Sequence, residues 1–355
     1  PENGNKIKSN LNLDGLNMES IFNESQFFNA KDEKLVFELI KYNDEEKLNK
    51  AHDLLQKKVE ESPAYYQIIY HSFKHWNELL EFSDKTIPNI LKDKNPEFQK
   101  EILILSRLAA YFHDIGYYIP DNGKFTAKNH EERSKNFVEE KSQELGLTEK
   151  QKKSLQFIIE FTKFKIGENF TEEIKKVNQA IKELEEKNLS SESKEYLKFL
   201  EENNKIDLDF ASAILLTAKT IAIADVYGHS KDYISLIPGL WQELILEESS
   251  LAKSTIIEQI AASIDFLNFA EQQRLKNLLN GEYSISSYIP QELINQREKN
   301  LNYLKKFKKY FEKIKQEKCS AEDKEKFKAL LSPFLNNKLW KEIIKKEIKK
   351  ILNFK

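Results

Sequence analysis

The stretch Phe-Gln-Lys-Glu-Ile-Leu-Ile-Leu-Ser-Arg-Leu-Ala-Ala-Tyr-Phe-His-Asp-Ile-Gly, residues 98–116, decides the fold. Ile102, Leu103, Ile104, Leu105, Leu108, Ala109 and Ala110 are apolar nearly all round a helical wheel, the pattern of a helix buried on every side. The run ends on His113-Asp114, where an ionised carboxylate is costly unless it is paired or bound to a metal. A second run of the same kind, ASAILLTAKTIAIADV at 211–226, brings Asp225 in among Ile221, Ile223, Ala224 and Val226. The bland reading of Asp225 is a helix-end cap, or a pair with Arg107 or Lys219.

Working outward, 9 Gly and 8 Pro in 355 residues leave little to punctuate hairpins, and no strand-like alternation or internal repeat occurs. The fold class is all-α, a helical core with additional N- and C-terminal helices. Asp32 is expected to cap a helix carrying Leu35, Val36, Leu39 and Ile40, and a second helix spans 44–59. Ser62-Pro63 marks a helix start that runs through Tyr70, His71, His75 and Leu79. Pro88 and Pro96 bracket a connector. Helices resume at 128–145 and 148–164, the latter opened by the capping box Thr148-Glu-Lys-Gln151. Three regions follow: a loose arm at 1–30, a main domain at 31–245 with a charged insertion at about 171–203, and a C-terminal helical region at 246–355.

From 296 to 355, 19 Lys/Arg face 8 Asp/Glu, a balance of +11, so the other 295 residues carry −13. An acidic body argues against general nucleic-acid binding. In KLWKEIIKKEIKKILNFK the positions Leu339, Trp340, Ile343, Ile344, Ile348, Ile351 and Leu352 share one helical face, interrupted by Glu347 and flanked by lysines. That helix either packs on the domain or meets an anionic membrane or a protein partner. The lone Cys319 excludes an internal disulfide and a cysteine metal site. No apolar stretch of signal-peptide or membrane-spanning kind occurs, so a cytoplasmic setting is expected, a previously removed leader or another secretion route staying open.

Six histidines are present: His52, His71, His75, His113, His130 and His229. His71 and His75 are four apart and share a face if both are helical. His52-Asp53, in NKAHDLLQKK, reads as a solvated surface pair. The imidazoles together with Asp114 and Asp225 form a donor set that suits a divalent ion, with Zn, Mn, Mg and Fe all open.

Tyr-His-Ser-Phe-Lys-His (70–75), Phe-His-Asp-Ile-Gly-Tyr (112–117), Asn-His-Glu-Glu-Arg-Ser (129–134) and Ala-Asp-Val-Tyr-Gly (224–228) resemble, in order, the motifs of the HD superfamily of metal-dependent phosphohydrolases. The resemblance covers about residues 62–245. It implies an HD-domain helical core with His75, His113, Asp114 and Asp225 as metal ligands and His71 and Asp114 as catalytic residues. It also implies hydrolysis of a phosphate mono- or diester, of a nucleotide or other small molecule, by a metal-activated water. The YHxxxH spacing is similar to that of the cyclic-nucleotide phosphodiesterases, which implies that His71 acts as general acid. Ile115-Gly116-Tyr117-Tyr118 stands where the (p)ppGpp hydrolases carry a Glu-Asp pair, and the adjacent histidines of the cyclic-di-GMP branch are missing. His130, with Glu131 and Arg133, is a candidate for a second metal or for phosphate binding; His130 could equally cap its helix, and Arg133 could pair with Glu131 or Glu132. Lys74 and Lys163 are further phosphate candidates, and His229 a further site-lining one. The alternatives are a catalytically inactive module of this superfamily with a regulatory or interaction role, and a helical oxygenase with two irons.

Overall fold

In the computed structural model the chain is all-α, with no strand among the described residues. The structure describes residues 38–43, 45–63, 68, 70–121, 123, 128–162, 208–247, 255–270, 275–279, 284–316, 318–336 and 338–353. The 1–30 arm, the 171–203 insertion, Lys163 and the start of the helix expected at Asp32 lie outside them. The helices are α1 (Glu46–Glu60), α2 (Phe73–Ile90), α3 (Pro96–Phe112), α4 (His130–Lys141), α5 (Glu149–Phe161), α6 (Leu208–Tyr227), α7 (Tyr233–Glu247), α8 (Ile256–Ala270), α9 (Lys276–Leu279), α10 (Gln291–Lys315), α11 (Ala321–Leu330), α12 (Ser332–Leu335) and α13 (Lys338–Asn353). No described helix is long and apolar enough to cross a membrane.

The two apolar runs behave as their composition requires. α3 opens with Asn95 accepting from the Phe98 N–H and Pro96 in its first turn, and buries Ile102, Leu105 and residues 108–112. α6 packs against α2, α3 and α5, with Ile214, Ala218, Ile221, Ala222 and Ile223 inaccessible. The capping box at Thr148 forms as its spacing predicts.

Four local expectations are corrected. The helix holding His75 starts at Phe73, with Ser72 at its N-cap position, and not at Ser62; Tyr70 and His71 lie in the turn before it, held by contacts from α7. Pro88 lies inside α2, in its last turn, where Asn89 Nδ2 donates to the carbonyls of Lys85 and Tyr288. Residues 38–42 are not helical: the Asn77 side chain accepts from the Ile40 N–H and donates to the Glu38 carbonyl, fixing that segment against α2. His52 is buried, not solvated, its Nε2 meeting the Leu39 carbonyl at 3.2 Å; only Asp53 faces solvent.

Two apolar cores result. The larger joins α1–α6 and includes Leu275, Leu278, Ile285, Ile289 and Leu293 from beyond residue 246. The smaller gathers α7, α8 and α10–α13 around Phe307, Phe327, Phe334, Trp340 and Ile344. α13 turns Trp340 and Ile344 inward and leaves Lys341, Lys345, Lys346, Lys349 and Lys350 exposed, so its apolar face is packed on the protein.

Candidate metal centre

Three helices deliver four side chains to one point. His75 comes from the first turn of α2, His113 caps the C-terminus of α3, Asp114 follows it, and Asp225 lies in the last turn of α6. One donor atom from each lies within 4.8 Å of all the others. His75 Nε2 stands 3.1 Å from Asp225 Oδ1 and 3.6 Å from Asp114 Oδ2. His113 Nε2 stands 2.9 Å from Asp114 Oδ2 and 3.9 Å from Asp225 Oδ1. His75, His113 and Asp114 are buried, and the Asp225 side chain keeps 17% of its surface.

The donor set fits a cation. His113 Nδ1 donates to the Ala110 carbonyl at 3.0 Å, which leaves Nε2 as the lone-pair nitrogen turned into the cluster. That Nε2 and Asp114 Oδ2 are both buried, and neither has a hydrogen-bond partner despite their 2.9 Å separation. A cation shared by the two would satisfy both. Donor atoms on one ion with bonds of about 2.1 Å lie roughly 3.0–3.4 Å apart, in the range of the shorter separations seen.

Electrostatics point the same way. Burial opposes charge on His75, but Asp225, Glu78 and Asp114 outweigh it and push its pKa up to about 10. Burial also acts to raise the Asp114 pKa, yet His113, His71 and His130 hold that carboxyl well below the usual range. The cluster thus keeps the Asp114 carboxylate ionised and holds a proton on His75 where a metal would otherwise sit.

The local scaffold explains the glycine of the motif. A Cβ at Gly116 would fall 1.9 Å from the His130 carbonyl oxygen, so only glycine lets the loop pass α4 this closely. The Gly116 N–H donates to Ser134 Oγ, which donates to the His113 carbonyl. Asn129, at φ +57°, turns the chain into α4 and sets His130 Nε2 3.2 Å from Asp114 Oδ1. Glu131 is buried, its Oε2 3.5 Å from His130 Nδ1. Arg133 donates from Nε to the Gly116 carbonyl and from a guanidinium NH2 to the Lys128 carbonyl, and so ties the loop to α4. Lys74 pairs with Asp232 at 2.5 Å. His229 is buried behind the cluster, with Nε2 3.1 Å from the Glu78 carbonyl. Of the bland partners for Asp225, Arg107 pairs with Asp84 instead.

His71 reaches the site from its turn, 5.5 Å from the His75 ring and stacked on Tyr117 at 4.2 Å. Its Nδ1 hydrogen-bonds the buried carboxylate of Glu243, which also accepts from the Tyr70 N–H at 2.5 Å. Tyr117 also contacts the His130 ring, at 4.3 Å. Glu243, Glu78 and Tyr117 were not singled out from sequence. Glu78 was readable: it lies three residues after His75 on one helix and places Oε2 3.9 Å from His75 Nδ1. Glu243 stands in Leu-Trp-Gln-Glu-Leu-Ile-Leu, the same apolar context that drew attention to Asp225.

No family model, curated protein or solved structure matches the chain.

Proposed function

We propose that this chain is a metal-dependent phosphohydrolase of the HD type that its four motifs resemble. The observation that carries the reading is the convergence of His75, His113, Asp114 and Asp225, with two buried donor atoms left unsatisfied by protein. Two imidazoles and two carboxylates suit Zn, Mn, Fe or Mg. A divalent ion held there supplies positive charge that acidifies a water and offsets charge on phosphoryl oxygens. Asp114 Oδ1 and His130 Nε2, 3.2 Å apart, are the donors for a second ion.

The chain's own groups carry the rest. His113 is oriented by the Ala110 carbonyl, and Glu78 faces the outer nitrogen of His75. Glu243 fixes the ring of His71 through its Nδ1, and His71 is the proton donor to the leaving oxygen. Tyr117, packed on His71 and His130, restricts water on that side.

Metal analysis of protein purified without added metal tests this. At least about one ion per chain is expected, with phosphoester hydrolysis lost on chelation and restored by that metal. Asp114→Ala should lose ion and activity together. Wild-type protein that neither retains nor takes up a divalent ion would end the proposal.

A further inference from the structure

α13 is seated by its apolar side and offers the other. Trp340 and Ile344 are buried in the smaller core, and the Trp340 indole donates to the Ser235 carbonyl. Glu347 accepts from the Ile256 and Ile257 N–H groups at the start of α8. These anchors fix which side of the helix faces out. Lys341, Lys345, Lys346, Lys349 and Lys350 are exposed there, and Glu342 is the one exposed carboxylate of the described helix. Lys345 pairs with Glu342 at 2.8 Å, while the other four lysines close no ion pair with a described residue. At a rise of 1.5 Å per residue they run for about 14 Å along the surface.

The chemistry of this face selects its partner. Arg297 is the last arginine in the chain, so the face has no guanidinium fork to grip one phosphate or carboxylate through two hydrogen bonds. No aromatic side chain is exposed among the described residues of α13, so none offers a platform for a nucleic-acid base. Lysine ammonium groups on flexible stems act as point charges and need only negative charge nearby. An anionic bilayer supplies that charge over a plane, and its headgroups can gather under each lysine. The charge of the whole chain orients the contact. Residues 296–355 carry +11 and the other 295 carry −13, so an anionic surface draws in this end and repels the rest. With its apolar face already used inside the protein, the helix has nothing left to insert among acyl chains.

We infer that the outward face of α13 docks the protein on anionic phospholipid bilayers, by charge alone and without insertion of the helix.

The test sediments the full chain with vesicles of phosphatidylcholine containing about 30 mol% phosphatidylserine, in about 0.1 M salt. Binding should exceed that to pure phosphatidylcholine by at least about tenfold, and should vanish at about 1 M salt, where charges are screened within about 3 Å. Each lysine near such a surface strengthens binding about fivefold, so Lys346→Gln with Lys350→Gln should weaken it roughly 25-fold. Lys346→Arg with Lys350→Arg should keep it. Lys57→Gln with Lys92→Gln, which removes the same charge from exposed positions outside α13, should change it less than about threefold. Equal binding to both kinds of vesicle, or equal loss in the two glutamine pairs, overturns the inference. Binding that survives 1 M salt overturns it as well, because the helix would then have left its seat and inserted. Tighter binding to duplex DNA or to poly-glutamate at the same salt gives this face to a nucleic acid or an acidic protein and removes the bilayer as its partner.

Discussion

Around Trp340 several buried polar groups are paired within the protein. The Trp340 indole donates to the Ser235 carbonyl at 3.1 Å, and the Trp241 indole to Ser263 Oγ at 2.6 Å. Glu347, whose pKa burial raises, accepts from the first N–H groups of α8, at Ile256 and Ile257. Around Asp114 the opposite holds. Carboxylates and imidazoles crowd one point, and His113 Nε2 and Asp114 Oδ2 meet without a hydrogen bond. In the smaller core these groups are paired off, while the larger one gathers four potential metal ligands at one point. Among the links that join them, Glu243 of α7 holds His71, and Asn300 of α10 donates to the carbonyls of Gly228 and Ser230 at 2.8 Å, just beyond Asp225.

The contrast is broken most sharply by a pair of variants. Asp225→Ala should lower turnover by at least about a thousandfold, about 4 kcal/mol, with loss of bound ion and a folded protein by circular dichroism. Trp340→Ala should cost about 3–5 kcal/mol in urea unfolding, while the fraction still folded binds its full complement of ion. If Trp340→Ala stripped the ion from folded protein, the division of labour between the two regions would not hold.

A smaller effect probes the link between them. Glu243→Gln should slow hydrolysis of esters with poor alcohol leaving groups by about 10–100-fold, with ion content unchanged and 4-nitrophenyl esters little affected. Equal slowing of all leaving groups would reduce Glu243 to a structural role.

The smallest effect concerns protons. In the metal-free protein, burial disfavours the His75 imidazolium, but Asp225, Glu78 and Asp114 outweigh it and raise the pKa to about 10. A raised value contributes stability that is present below the ordinary histidine range and is lost as pH rises through about 10. Nε2 must be free of its proton to bind a metal, so ion binding near neutral pH should release about one proton, and affinity should rise with pH up to about 10. Calorimetry in buffers of different ionisation enthalpy measures this; no release near neutral pH would show that His75 is not a ligand.

The all-helical class, the two buried helices and the four-residue donor set were readable from the chain. Helices that are apolar all round have only one place to go, and a carboxylate at the end of each is conspicuous because its burial is costly. Other features depended on neighbours distant in sequence. Ser62-Pro63 has the local chemistry of a helix start, but the helix that holds His75 begins at Phe73, and Tyr70 and His71 before it are held by Glu243 of α7, more than 160 residues away. His52 looked solvated because its flanks are polar, but the non-helical segment at 38–42 covers it. Arg133 has the chemistry to bind phosphate, and only the packing shows that the close passage of Gly116 past α4 puts its Nε on the Gly116 carbonyl. Hydrophobic period and the cost of burying charge act along a few turns of chain, so sequence alone reports them. Which imidazole meets which carboxylate is settled by helices packed from opposite ends of the sequence, and only the tertiary structure decided it.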